Sequence, residues 1–68
     1  MGIGGKIAKF RSERGMTQKD LADKALVNAN YLAAIEEGRK KPHLKLIARL
    51  ASVLDVTIEA LVESDMEY

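Results

Sequence analysis

Between Thr17 and Gly38 the chain spells out two short helices across a break with room only for a turn: TQKDLADKALVNANYLAAIEEG. Thr17 is a good N-cap, and Asp20 three residues on makes a weak capping box, its arm shorter than the usual Glu. Leu21, Ala22 and Ala25 then fall on one face at helical spacing. The pattern stops at Leu26-Val27 and restarts at Asn28, a second cap-forming residue, after which Leu32 and Ile35 supply the apolar side. Gly38 stands where a helix ends in the left-handed conformation that glycine adopts most readily. Helices of about nine residues are not stable alone in water. Both must therefore lean on the sequence before and after them.

That flanking sequence is itself helical. Ile3, Ile7 and Phe10 give the i, i+4, i+7 stripe of a core-facing helix expected from near Gly4 to Gly15, with Lys6, Lys9 and Arg14 off the stripe and Arg11 beside it. Pro42 disfavours helical backbone at Lys41, so a fourth helix is expected over Leu44 to Leu54. Leu44, Ile47, Leu50, Ala51 and Leu54 form its stripe, flanked by Leu46 and Val53. Thr57 then caps a last helix carrying Ile58, Leu61 and Val62, with Glu59 in its first turn to suit the helix dipole. Residues 64–68 show no periodicity and are expected to fray from a domain spanning 1–63. The join at Leu26-Val27-Asn28 lacks a glycine. Leu26 either keeps a negative φ, bears strain of order 1 kcal/mol, or helps fill the core.

A chain of 68 residues is one domain near the lower limit for folding without staples, and with no cysteine neither disulfides nor a thiolate metal site can help. Apolar residues make up 47% but aromatics only 4%, with one proline, which favours a compact all-α, five-helix domain over a β fold. No apolar run is long enough to span a bilayer, and MGIGGKIAKF is too short in apolar residues for a signal peptide. A cytoplasmic protein with no membrane partner is the expectation.

Net charge is only +1, but it is polarised. Up to His43, nine Lys and Arg stand against five Asp and Glu, a net +4; from Leu44 onward Lys45 and Arg49 stand against five acids, a net −3. Either this is a mixed solvated surface, or a polyanion is steered toward the first part and away from the second.

Enzymatic chemistry finds no footing. His43 is the one histidine, and without cysteine it makes neither a triad nor a conventional metal cluster; it reads as a surface or capping residue. Glu36-Glu37 and Glu63 with Asp65 fit solvated faces better than paired acids in a cleft. Gly2, Gly4 and Gly5 neither follow a strand nor precede the Gly-Lys-Ser/Thr of a phosphate loop. No catalytic residue, metal, cofactor or small-molecule substrate is expected.

The third helix is sorted by helical geometry. At about 100° per residue, Asn28, Leu32, Ile35 and Glu36 share one side, and Asn30, Ala33, Ala34 and Glu37 the other, with Ala29 and Tyr31 at the flanks. Its outward face is small and neutral apart from Glu37.

Four stretches, Gly15-Met16-Thr17-Gln18, Leu21-Ala22, Ile35-Glu36-Glu37-Gly38 and Leu50-Ala51-Ser52-Val53-Leu54-Asp55-Val56, follow one another at a spacing that resembles the helix-turn-helix DNA-binding domain of the phage repressor and Cro type. The resemblance runs over nearly the whole chain. Two positions depart from the family pattern: Leu26 stands where the turn usually has glycine, and the helix NANYLAAIEE is less polar than usual.

The resemblance implies a lambda-repressor-like fold and a prokaryotic or phage-encoded transcriptional regulator, repressor-like, whose partner is double-stranded DNA. Thr17 and Gln18 would meet a phosphate at the start of the second helix, where unpaired N–H groups and the positive dipole end suit one. Asn28, Ala29, Asn30, Tyr31 and Ala34 match groove-facing positions. Asn30 suits adenine, and Ala29, Ala33 or Ala34 suit thymine methyls, with helix filler as the alternative for Ala33-Ala34. Tyr31 would bond a phosphate or stack on sugar edges, and Arg39, Lys40 and Lys41 would hold the backbone on the far side. Arg11 would reach Glu36 through a planar fork, the alternative being a surface arginine with no fixed partner.

No Arg or Lys lies on the third helix, so the commonest guanine contact is missing there and a site rich in A·T, read partly through DNA shape, is expected. Proteins of this shape usually dimerise to set two recognition helices about 34 Å apart. Ile58, Leu61 and Val62 are the candidate homodimer surface, the alternatives being core closure of a monomer or the first module of a longer chain. A rival from another class also stands: a protein-interaction module that kept the fold while losing polar reach. The low net charge and the alanines favour it; the basic Arg39–Lys41 loop and the Thr17-Gln18 pair oppose it.

Overall fold

In the computed structural model, residues 2–62 are described and form five α-helices: α1 (Ile3–Glu13), α2 (Gln18–Ala25), α3 (Ala29–Glu36), α4 (Leu44–Leu54) and α5 (Ile58–Val62). Glu63 and the polar end expected at 64–68 lie outside the described residues. No helix among the described residues is long and apolar enough to cross a membrane.

Local chemistry starts four of these helices. The α2 capping box is closed: the Thr17 hydroxyl accepts the Asp20 N–H at 3.0 Å, and the Asp20 carboxylate accepts the Thr17 N–H at 3.0 Å. The Asn28 side-chain oxygen accepts the N–H groups of Asn30 and Tyr31 at 2.7 and 3.3 Å. The His43 ring caps α4 through Nδ1, which accepts the Leu46 N–H at 3.2 Å, and the Thr57 hydroxyl accepts the Ala60 N–H at 3.0 Å.

The ends of α1 to α4 are equally alike. Gly15, Leu26, Gly38 and Asp55 each take a left-handed backbone, with φ of 67°, 63°, 85° and 59°. The residue after each then donates its N–H back across the last turn: Met16 to Arg11, Val27 to Ala22, Arg39 to Ala34 and Val56 to Ala51, all between 2.9 and 3.1 Å. This is the Schellman closure, which satisfies carbonyls left over at a helix C-terminus. Of the readings open for Leu26, the strained one holds. Its φ is positive and its side chain is 76% exposed, so it does not fill the core.

Every helix contributes to one core: Ile7 from α1, Leu21, Ala22 and Ala25 from α2, Leu32 and Ile35 from α3, Leu46, Ile47, Leu50, Ala51 and Leu54 from α4, and Leu61 from α5. Two expectations fail here. Leu44 is 69% exposed instead of buried, because the stripe that α4 buries is centred between the Leu46-Leu50-Leu54 and Ile47-Ala51 rows. Leu44 lies about 90° off that centre, on the opening turn. Leu61, offered as part of a dimer surface, is fully buried in the core, while Ile58 and Val62 pack against it and stay half-buried. A five-residue helix has one turn's worth of inward positions, and Leu61 takes the central one.

Gly4 allows α1 to meet the end of α3 backbone to backbone. A Cβ there would collide with the Ile35 carbonyl oxygen and stand 2.9 Å from that of Glu36. Gly4 therefore serves packing.

Candidate nucleic-acid interface

Three short helices meet at one carboxylate. Glu36, at the end of α3, has only 5% of its side chain exposed. Its two oxygens accept a fork from Arg11 of α1, Nε at 2.8 Å and Nη2 at 3.0 Å, and Oε1 also accepts the Gln18 amide from the first turn of α2 at 2.9 Å. Arg11 Nη1 donates to the Met16 carbonyl at 2.8 Å, tying the α1–α2 connection into the same knot. The Glu36 carboxylate raises the Arg11 pKa above its ordinary value, chiefly through the hydrogen bond, against an opposing effect of burial. The fork fixes α3 against α1 and α2 at the end away from its Asn28 cap.

On the outer side of this knot Asn30, Glu37, Arg39, Lys40 and Lys41 are exposed, and Ala33 is half-exposed. Thr17 is exposed, but its hydroxyl is committed to the capping box. Gln18 is half-buried with its amide nitrogen on Glu36. That bond had no signal in the sequence, since the partners stand 18 residues apart. Gln18 would thus enter a phosphate contact as part of the knot, through the second N–H of its amide and the backbone N–H groups at the start of α2. The neighbouring Asp20 carboxyl is held below the usual carboxylate range by the Thr17 N–H and then by the Thr17 hydroxyl.

The matched groove positions divide. Asn30 is exposed, whereas Asn28 has its oxygen occupied by the cap. Ala29 and Tyr31 are half-buried against the core. Ala34 is 5% exposed and is not offered outward, contrary to its place on the helical wheel. The Arg39 and Lys40 N–H groups close the turn on the Ala34 carbonyl at 2.9 and 3.3 Å. A wheel projection registers direction within one helix and carries no information about what packs on its methyl. Among the described residues no group of His, Cys, Asp or Glu could hold a metal ion.

The capped helix, left-handed turn and second capped helix lie within residues 7–61, which match the family model described as Helix-turn-helix. The chain belongs to the helix-turn-helix family. Its relatives in that family include the immunity repressor of Bacillus phage phi105, 39% identical over 62 residues. The match covers 91% of this chain and 43% of the repressor. The transcriptional regulator SinR of Bacillus subtilis is 33% identical over 66 residues, covering 96% of this chain and 60% of SinR. A crystal structure of SinR, the master regulator for biofilm formation, in complex with DNA superposes with a TM-score of 0.83 at 35% identity. That match covers 87% of this chain and 95% of the SinR chain. The chain spans about half the length of the curated helix-turn-helix relatives it matches.

Proposed function

We propose that this chain is the DNA-binding domain of a cytoplasmic transcriptional regulator, repressor-like, that lays α3 in the major groove while the start of α2 and the Arg39–Lys41 turn hold phosphates. Asn30 carries this reading. Among the matched groove positions it alone is exposed with a carboxamide that no hydrogen bond engages among the described residues. Such a group pairs bidentately with adenine N6 and N7. The half-exposed Ala33 beside it suits a thymine methyl, so the stretch under α3 is A·T-rich. Kinship to the phi105 repressor and likeness to SinR on DNA support the same function.

Two copies joined over the half-buried Ile58 and Val62 on the flank of α5 would set two α3 helices one helical turn of DNA apart, about 34 Å. The experiment is selection of bound sequences from random duplexes, with affinities followed against salt. An A·T-rich consensus under α3 and a linear fall of log K with log salt are expected. A G·C-rich consensus overturns the base reading, and binding that ignores salt overturns the DNA function. Sedimentation at micromolar concentration reads the dimer.

A further inference from the structure

α3 has no cation, yet one is held at its end. Glu37, the first residue past α3, keeps α-helical backbone and so continues the outward face. At about 100° and 1.5 Å per residue it lies within roughly 20° of Asn30, about 10.5 Å further along the axis. Its Oε1 accepts the Nε–H of Arg39 at 2.9 Å, and Nη2 of the same guanidinium lies 2.8 Å from that oxygen. The two side chains are 58% and 64% exposed, so the pair adds little stability. It orients instead. The guanidinium faces Glu37 along its Nε–Nη2 edge, which leaves the Nη1–Nη2 edge, with one N–H from each of the two nitrogens, turned away from Glu37. Among the described residues, Lys40 and Lys41 form no ion pair, so Arg39 is singled out from its two basic neighbours.

An Nη1–Nη2 edge is the partner for guanine O6 and N7, the commonest specific contact in the major groove. We infer that Arg39, positioned by Glu37, reads a guanine at the edge of the A·T stretch. For a helix lying along the groove, that guanine stands a few base-pair steps from the base met by Asn30. The inference rests on the DNA-binding reading of α3 and moves Arg39 within it from phosphate to base: the guanine contact missing from the helix is supplied by the turn that follows, while Lys40 and Lys41 are left to the phosphates.

The test compares selected sequences and salt dependence for the wild type, Arg39→Lys, Glu37→Gln and Lys40→Ala, all at exposed positions, with folding checked by circular dichroism. Arg39→Lys keeps the charge but not the fork. It should retain the wild-type salt slope and lose preference at one G·C pair, by roughly ten- to hundredfold in relative affinity. Glu37→Gln should weaken preference at that same pair by less, and Lys40→Ala should weaken all sequences alike and shallow the salt slope by about one. If Arg39→Lys keeps every positional preference, the inference is overturned and the DNA reading survives. If the wild type binds no duplex in a salt-dependent manner, both fall.

Discussion

Removing either partner of the Arg11–Glu36 fork should harm the protein, but not equally. Glu36 is 5% exposed and Arg11 18%. Without Glu36, the Arg11 guanidinium keeps the Met16 carbonyl at 2.8 Å and some access to water. Without Arg11, the carboxylate keeps only the Gln18 amide at 2.9 Å and is almost wholly enclosed. Stranding one charge of a buried pair costs about 3–5 kcal/mol. Arg11→Met should approach the upper end of that range. Glu36→Gln, which still offers one acceptor and leaves the better-hydrated charge behind, should cost about 2–3 kcal/mol. A chain of this length has a total stability of only about 3–10 kcal/mol at the usual per-residue figure. Arg11→Met should therefore lower Tm by roughly 15 °C or more, at about 4–8 °C per kcal/mol. The double variant Arg11→Met with Glu36→Leu removes both charges and should recover most of the loss. Urea unfolding followed by circular dichroism at neutral pH reads all of these. Equal costs for the two single variants, or costs under about 1 kcal/mol, would refute the reasoning and make the fork an ordinary surface pair.

Three further outcomes follow from the backbone and the caps. Gly4→Ala should lose about 1–3 kcal/mol, because the methyl group meets a carbonyl of α3 that has no rotamer by which to yield; an unchanged urea midpoint would mean that α1 slides freely. Leu26→Gly should gain about 0.5 kcal/mol, since relief of about 1–2 kcal/mol from the left-handed backbone exceeds the extra chain entropy of glycine, about 0.5–1 kcal/mol. The side chain removed is mostly in water, so a lower midpoint at constant m-value would contradict this account. Asp20 titrates below its ordinary value in the fold, so its stabilisation is complete above about pH 4 and is lost as pH falls through the lowered value. In Asp20→Asn that part of the acid limb should flatten, and a limb of unchanged shape would count against the capping box.

The five helices were legible because their signals are local. Thr17, Asn28 and Thr57 announce caps, Gly15 and Gly38 sit at left-handed ends, and apolar residues recur with a helical period. Leu26 shows where that breaks down. Its backbone does what glycine would do, because the Val27-to-Ala22 closure and the packing of both helices outweigh about 1–2 kcal/mol of strain, a balance no residue type announces. Ala34 and Leu44 were misplaced for a related reason. A helical wheel supplies a direction, whereas burial depends on what else packs on that side: Ala34 is covered and Leu44 is not. At the candidate interface the type of residue was legible, but its prior commitments were not. Asn28 and Thr17 are spent on caps, and Gln18 is bonded to Glu36.

Those commitments explain how so short a helix would present the proposed reading surface at all. Eight residues do not hold a helix in water, and a fraying α3 would forfeit in ordering entropy what its base contacts gain. Here one end is closed by the Asn28 cap and the other by Glu36, itself held from α1 and α2, so both ends are fixed before a ligand arrives. The polar groups of the proposed interface are then divided by role. The buried acid and the capping side chains fix the frame, and Asn30 and Arg39 are left exposed at the two ends of the outward face. It follows that Gln18→Ala, although distant from any base, should weaken binding to every sequence alike while leaving the order of preferred sequences intact, because it loosens the frame and a phosphate contact without touching a reader. A changed consensus in that variant would mean that α3 is aimed by Gln18 rather than merely steadied by it.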